Sequence, residues 1–401
     1  RRVEIRTSIY WATDPVRIAT SAAVVDKVRM ITLHSQTCRC TAPRRCVNIG
    51  PRWSLGLTPA PPISVLSTMG SHIVIAPGSI NVDLILRTDV LKGPKTFRGC
   101  YSESQGGKGS NQAIAARRAG EGRHVYLVGA VGKDPWGEQA LAALRDAGVD
   151  TCYVRRDATA TTGVVMEYLY ADGEVTIGLE PGANDRVGVD DIERARSWIE
   201  SAVLLLAQIE NPLDTVEHTF RMARAAGVAT CLDPSVVPVV DTERRRLFDD
   251  VLPHVDLLAP NRSEAEELAD IPVDDDDSAV AAAKWLLDHV PVVVLTRGAE
   301  GALVARGDET RFVRGLSVDS IDGGAAGDTF RGALGLALAE ARDAHALPLT
   351  DLPFDVLVDA ARFANAAAAI CVTRPGACES IPTREEITAR LASGSPRGSC
   401  S

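Results

Sequence analysis

After residue 70 the chain alternates short, continuous runs of Val, Ile and Leu with helix-length segments, and this limits the fold more than any other feature. His72 to Ala76 is one such run, closed by Pro77-Gly78. Val125 to Gly129, Ala202 to Ala207, Ala229 to Leu232, Asp256 to Ala259 and Val292 to Leu295 repeat it. Between them, Gln112 to Gly120, Trp136 to Ala147 and Leu213 to Ala226 read as helices that stop at or just before a glycine. A strand without a polar face must be buried on both sides, as in a parallel sheet with helices over each face. The expected fold class is α/β, a three-layer domain around a mainly parallel central sheet.

Two stretches break this rhythm. Asp83 to Glu103 alternates without a helical period, and Thr162 to Glu180 reads as a hairpin turning at Asp172-Gly173. Together they are expected to form a small β-sheet lid, with strands from about 84–104 and 162–180. The alternative is an edge hairpin that extends the main sheet.

Composition narrows the function. No run reaches the roughly 18 apolar residues of a membrane span, so no membrane partner is expected. Only 4% of residues are aromatic and the net charge is −10, which disfavours stacking on bases and binding to a nucleic-acid backbone. The charge is uneven: residues 1–68 hold ten Lys/Arg against three Asp/Glu, a balance of +7 that leaves −17 for the remainder. Cys38, Cys40 and Cys46 lie in that opening stretch without a second pair or spaced His, a poor zinc pattern. Residues 1–70 are read as a disordered or non-native extension, with an organelle transit segment as the alternative. A single domain is expected over 71–392 and a flexible tail over 393–401. The remaining cysteines are scattered, which fits a reducing cytoplasm better than a disulfide framework.

Three segments carry chemistry. Asp322-Gly323-Gly324-Ala325-Ala326-Gly327-Asp328-Thr329-Phe330 puts small residues directly before a helix, so backbone N–H groups crowd a helix N-terminus and favour an anion. Asp328 would stand beside that anion, placed to take a proton from an attacking hydroxyl. Gly106-Gly107-Lys108-Gly109-Ser110-Asn111-Gln112 opens another helix without the P-loop spacing; its glycines would let backbone approach a ligand. Asn261-Arg262-Ser263-Glu264 follows a buried strand and by itself reads as helix capping.

In this order the segments resemble the PfkB-type carbohydrate kinase family, over about residues 71–390. Gly106 to Ala113 is similar to the family's N-terminal signature and Asp322 to Phe330 to its C-terminal one. Gly78 to Asp83, Glu180 to Asn184 and Val372 to Ala377 resemble the ribokinases within it. The resemblance implies a ribokinase-like fold and ATP-dependent phosphorylation of a sugar, ribose first, at its 5-hydroxyl. Another sugar or a nucleoside, or a ligand-binding paralogue without catalysis, are the alternatives. It further implies that Asn81, Val82, Asp83, Gly107, Lys108, Gly109, Ser110, Asn111 and Glu210 contact the sugar. Asn261, Thr296, Arg297, Gly298, Ala299, Glu300, Gly301, Gly327 and Asn365 would line the ATP site. Asp328 would be the base and the Ala325–Asp328 amides the anion hole. Glu264 would reach Mg²⁺ through water. Potassium would sit among Asp322, Gly324, Cys371, Arg374, Gly376 and Ser380, mostly on backbone oxygens. Two copies would pair through the lid.

The sequence departs from the pattern at Gly323, where the signature has Thr; a looser loop and weaker cation ordering are expected. The stretch containing Asp343 to Asp355 is expected to alter the adenine side.

Overall fold

Ile73 and Ile75 of the first apolar run enter one core, and Val74 between them enters another. Leu204 and Leu206 against Leu205 and Ala207 repeat the division. Strand side chains alternate, so a run apolar at every position needs a covering layer on each face. The computed structural model describes residues 71–93 and 95–394 and supplies both layers. The expectations for residues 1–70 and for the tail beyond 394 lie outside the described residues.

The chain begins with β1 (Ile73–Ile75), β2 (Asn81–Arg87), β3 (Cys100–Gly106) and α1 (Lys108–Ala119). β4 (Val125–Gly132), α2 (Pro135–Asp146) and β5 (Asp150–Asp157) precede the hairpin β6 (Gly163–Leu169) and β7 (Val175–Glu180). Next come α3 (Val189–Glu200), β8 (Leu204–Gln208), α4 (Leu213–Ala225), β9 (Ala229–Asp233) and α5 (Asp241–Arg246). β10 (Leu257–Leu258), α6 (Arg262–Ala269), α7 (Asp276–Leu286), β11 (Val292–Thr296), β12 (Gly301–Arg306) and β13 (Glu309–Arg314) follow. α8 (Ala326–His345), α9 (Phe354–Cys371) and α10 (Arg384–Gly394) complete the described residues. Gly394 carries α10 two residues into the segment read as a tail.

The large sheet has the order β13-β12-β11-β10-β9-β8-β1-β4-β5. It is parallel from β5 through β11, and the β12–β13 hairpin adds two antiparallel strands at one edge. α1, α2, α8, α9 and α10 cover one face through Ile114, Leu141, Leu334, Leu357 and Ile387. α3, α4, α6 and α7 cover the other through Ile192, Phe220, Leu268 and Leu286. Three layers and a mainly parallel sheet are as expected.

The small sheet is separate, in the order β3-β2-β6-β7, so the hairpin does not extend the main sheet. Its register puts Asp83 opposite Ser104 and Val165, and Ile85 opposite Ser102 and Glu167. Residues directly opposite share a face. Asp83, Val165, Glu167, Ile177 and Leu179 therefore line one side.

One expectation fails on length. α8 begins beside Asp328 and continues to His345, a rise of about 25 Å at the α-helical repeat. The connection after it, held by Arg306 to the carbonyls of Thr350 and Leu352, lies at the opposite end of the sheet from Asp328. It cannot shape the adenine side.

Candidate active site

The segments singled out in the sequence gather at the carboxyl ends of the large sheet's strands. Ser79 to Asp83 follow β1, Gln208 ends β8 and Glu210 follows it, Asp233 ends β9, Asn261 follows β10 and Thr296 ends β11. β1 lies between β4 and β8, and the chain builds outward from it in both directions. Such a switch point opens a crevice beyond the strand ends.

The glycines of α1's entry serve the protein's own backbone. Gly107 has φ of 89°, and a Cβ there would stand 2.7 Å from the Asn81 nitrogen and 2.8 Å from the Ser79 oxygen. A Cβ on Gly109 would meet the Gly78 carbonyl carbon at 2.5 Å. One on Gly106 would overlap the Asp83 carboxylate. The close approach between α1 and the β1–β2 connection thus requires glycine at these positions. Ser110 N donates to the Ser79 oxygen at 3.0 Å, and Gly109 N to Ser79 Oγ at 3.3 Å. Val82 is wholly buried and Asn81 Oδ1 accepts from Asn184 Nδ2 at 2.7 Å, so both position the strand that carries Asp83.

Acidic groups converge on the space beneath the lid. Burial raises Asp83 from 3.8 to about 7, and the negative charges of Glu167, Asp328 and Glu210 add to it. Lys108 Nζ lies 3.9 Å from Glu210 Oε1, and Ser79 Oγ donates to Glu210 Oε2 at 2.6 Å. Burial pulls the Lys108 ammonium down, but Asp328 and Glu210 outweigh it and keep that group firmly charged.

Asp328 occupies the first turn of α8 and is buried. Asn111 Nδ2 donates to its Oδ2 at 2.9 Å and Gln112 Nε2 to its Oδ1 at 3.1 Å. Burial raises the Asp328 carboxyl and Asp233 adds to this; Lys108 and the two amides oppose them. Behind it Arg331 lies 3.2 Å from Asp233 Oδ1 and donates to Glu264 Oε2 at 2.9 Å. Glu264 also closes a capping box on Asn261, with Asn261 N to Oε2 at 2.7 Å and Asn261 Nδ2 to Oε1 at 2.6 Å. Sequence reasoning took N-x-x-E as capping when read alone, and capping is what it does here.

No side chain caps α8. The Ala326 amide donates to the Gly323 oxygen at 3.2 Å, so one of the amides expected to form an anion hole at Ala325–Asp328 is already engaged. Asp322 clasps two loops, accepting from Gly324 N at 2.9 Å and Gly376 N at 3.1 Å. Cys371 Sγ and Ser380 Oγ are 3.0 Å apart, which brings the expected cation residues together. Arg374 is the exception in its side chain, which pairs with Glu386.

Among the residues expected to line the ATP site, Asn261 bridges Thr296, so these two segments adjoin. Gly298 and Gly301 take left-handed φ in the turn between β11 and β12, which Ala299 and Glu300 complete. The Arg297 guanidinium is buried against Asp276, Glu300 and the Phe312 ring and so faces the protein. Asn365 Nδ2 donates to the Val313 oxygen at 2.9 Å and fastens α9 to β13 at this rim.

Gln112, Glu167, Asp233 and Arg331 belong to the site, and the sequence reading gave none of them a role. Gln112 stood in a quoted motif; Asp233, before Pro234, reads as a turn residue, and Arg331 as the outer face of α8.

The match to known proteins covers the same segments. Residues 72–384 match the model of the pfkB family carbohydrate kinases. A ribokinase of Haemophilus influenzae is 35% identical over 312 residues, covering 77% of this chain and 95% of that one. A deoxyribokinase of Salmonella typhi is 30% identical over 277 residues, covering 67% of this chain and 86% of that one. The structure of a ribokinase from Giardia lamblia superposes with a TM-score of 0.73 at 30% identity, covering 81% of this chain and all of that one. With that match, and with the crevice, the paired amides on Asp328 and the open turn of α8 in place, the chain belongs to the pfkB family of carbohydrate kinases.

Proposed function

We propose that this carbohydrate kinase transfers the γ-phosphoryl group of ATP to the primary 5-hydroxyl of D-ribose. The observation that carries the reading is Asp83, a half-buried carboxylate on the site-facing side of the lid, close enough to Asp328 for each charge to act on the other. Asp83 would accept hydrogen bonds from two neighbouring ribose hydroxyls, with Asn81, Lys108, Asn111 and Glu210 around the ring. Asp328 would accept the 5-hydroxyl proton as the new O–P bond forms and the bond to the ADP oxygen breaks. Amides of the Ala325–Asp328 turn and the positive end of α8 would stabilise the phosphates. Closure of the lid would exclude water.

Magnesium would accompany ATP and neutralise phosphate charge. Both Glu264 oxygens already accept protein donors, which fits contact with the ion through water rather than direct ligation. Potassium would sit beside the anion hole, with Asp322, Gly324, Cys371, Arg374, Gly376 and Ser380 offering mainly backbone oxygens. Residues 71–392 would form the catalytic domain. The open edge of β7 and exposed Tyr101 and Met166 on the outer lid face favour a homodimer through the lid. Five free cysteines among the described residues fit a reducing cytoplasm.

The likeness to a deoxyribokinase favours one second reading, 2-deoxyribose as substrate. A coupled ADP-release assay with ribose, 2-deoxyribose, fructose and a nucleoside decides between them, run with and without potassium. Turnover of 2-deoxyribose equal to or above that of ribose would overturn the first reading.

A further inference from the structure

Gln112 is wholly buried one position beyond Asn111 in α1. Its Nε2 donates to Asp328 Oδ1 at 3.1 Å and to Asp233 Oδ2 at 2.7 Å, while its Oε1 accepts from Gln208 Nε2 at 2.5 Å. Reversing the amide would turn its oxygen toward two carboxylates and its NH₂ toward a donor, so the network fixes one orientation. The helices are built for this contact. Gly332, one turn after Asp328, has no room for a Cβ because the Gln112 carbonyl fills that space. α1 therefore lies against the face of α8 that carries Asp328.

One NH₂ group between two carboxylates places them within roughly 6 Å of each other, where like charges disfavour joint ionisation. The groups that act on Asp328 come from every side. Lys108 on α1 and Arg331 on α8 are positive. Asp83 on the lid, Glu210 after β8 and Asp233 at the end of β9 are acidic. The Cys371 and Cys378 thiols face it from the C-terminal segment. We propose that Gln112 is a positioning residue for phosphoryl transfer, its NH₂ spanning two buried carboxylates so that Asp328 acts as the sole base while Asp233 stays with Arg331. This rests on the reading of Asp328 as base. Without the amide, the Asp233 charge would act on Asp328 with no donor between them, and Asp328 would hold its own proton more tightly and accept the sugar's less readily.

Gln112→Met keeps the length and removes the donor. Its kcat at saturating sugar is expected to fall about 10- to 100-fold, with the acid limb of the kcat profile moved up by about one pH unit. Sugar affinity by calorimetry should stay within about threefold, because the carboxylates assigned to the sugar ring are Asp83 and Glu210, neither of which Gln112 contacts. Wild-type kcat with an unmoved acid limb overturns the inference, as does a fall in kcat without the pH shift, which would mean packing alone. Should Gln112→Met fail to fold, Gln208→Met removes only the donor that orients the amide. A smaller shift in the same direction then supports the role, and an unmoved profile overturns it. Asp328→Asn is measured in parallel: retained turnover there defeats the base assignment itself, whatever Gln112 does.

Discussion

The two glycine-rich loops of this chain look alike in sequence and differ in what surrounds them. At α1's entry the protein's own backbone and the Asp83 carboxylate fill the space beside Gly106, Gly107 and Gly109. At α8's entry nothing lies within 4 Å of where a Gly323 Cβ would stand, Gly324 meets only Asp322 Oδ1 at 3.3 Å, and Gly327 only the end of the Arg331 side chain at 2.9 Å. One loop is fixed by the fold before any ligand arrives; the other leaves its space open. Asp328 stands on the open loop's helix but is held by the closed loop, through Asn111 and Gln112. If Asp328 is the base and the α1 loop holds the sugar, as proposed, preorganisation of the base comes from the sugar side of the site.

The largest expected effect tests that division of labour. Asp328→Asn keeps shape and loses the proton acceptor, so kcat should fall about 10²- to 10⁴-fold. Ribose binding by calorimetry should remain measurable, since Asn81, Asp83, Lys108, Asn111 and Glu210, the residues placed around the ring, are left in place. Loss of ribose binding along with turnover would show that the two loops do not act separately.

Next in size is Gly107→Ala. The new methyl would sit 2.7 Å from a backbone nitrogen at a φ of 89°, and neither constraint relaxes cheaply. Thermal unfolding should show a loss of about 2 kcal/mol or more. Wild-type stability would mean that the seat of α1 is far softer than its geometry.

Asp83 sharpens the comparison through pH. Its folded value near 7 stands above the ordinary 3.8, so the native state holds the proton more tightly than the unfolded chain. Its contribution to stability is present in full below about 3.8 and disappears as pH rises through about 7. Sugar binding runs the opposite way, because the acceptor must be ionised. The sugar KM is expected to rise as pH falls below 7, by at most about tenfold per unit, and Asp83→Asn should flatten that dependence. A KM that is level from pH 5 to 8 in the unsubstituted protein would separate Asp83 from the sugar.

Much of this was legible because apolar runs and glycine motifs are local. β5 was not anticipated, since its Thr151, Tyr153 and Arg155 are half-buried at a sheet edge and its sequence mixes polar with apolar residues. The β12–β13 hairpin was also missed, because its first strand starts at Gly301, inside a turn already assigned to nucleotide binding. In the site, Gly327 and Asp328 announce themselves beside each other in the chain. Gln112 and Asp233 do not: 121 residues separate them, and only the sheet's order makes them partners. Asp322 was legible as a loop residue, whereas its clasp on Gly376 depends on a second loop 54 residues away.

The smallest effect belongs to the open loop. Gly323 has no neighbour to displace and no left-handed φ, so a side chain there meets neither clash nor strain. Replacing such a glycine narrows the unfolded ensemble, and Gly323→Thr is expected to stabilise by about 0.5 kcal/mol in thermal unfolding. If the loop's freedom also delays ordering around the phosphates, the ATP KM should fall by about twofold with kcat little changed. A destabilisation as large as that of Gly107→Ala would mean that the open loop is in fact constrained. The contrast drawn from the two sets of glycines would then fail at its weaker end, while the hold of α1 on Asp328 would stand on its own hydrogen bonds.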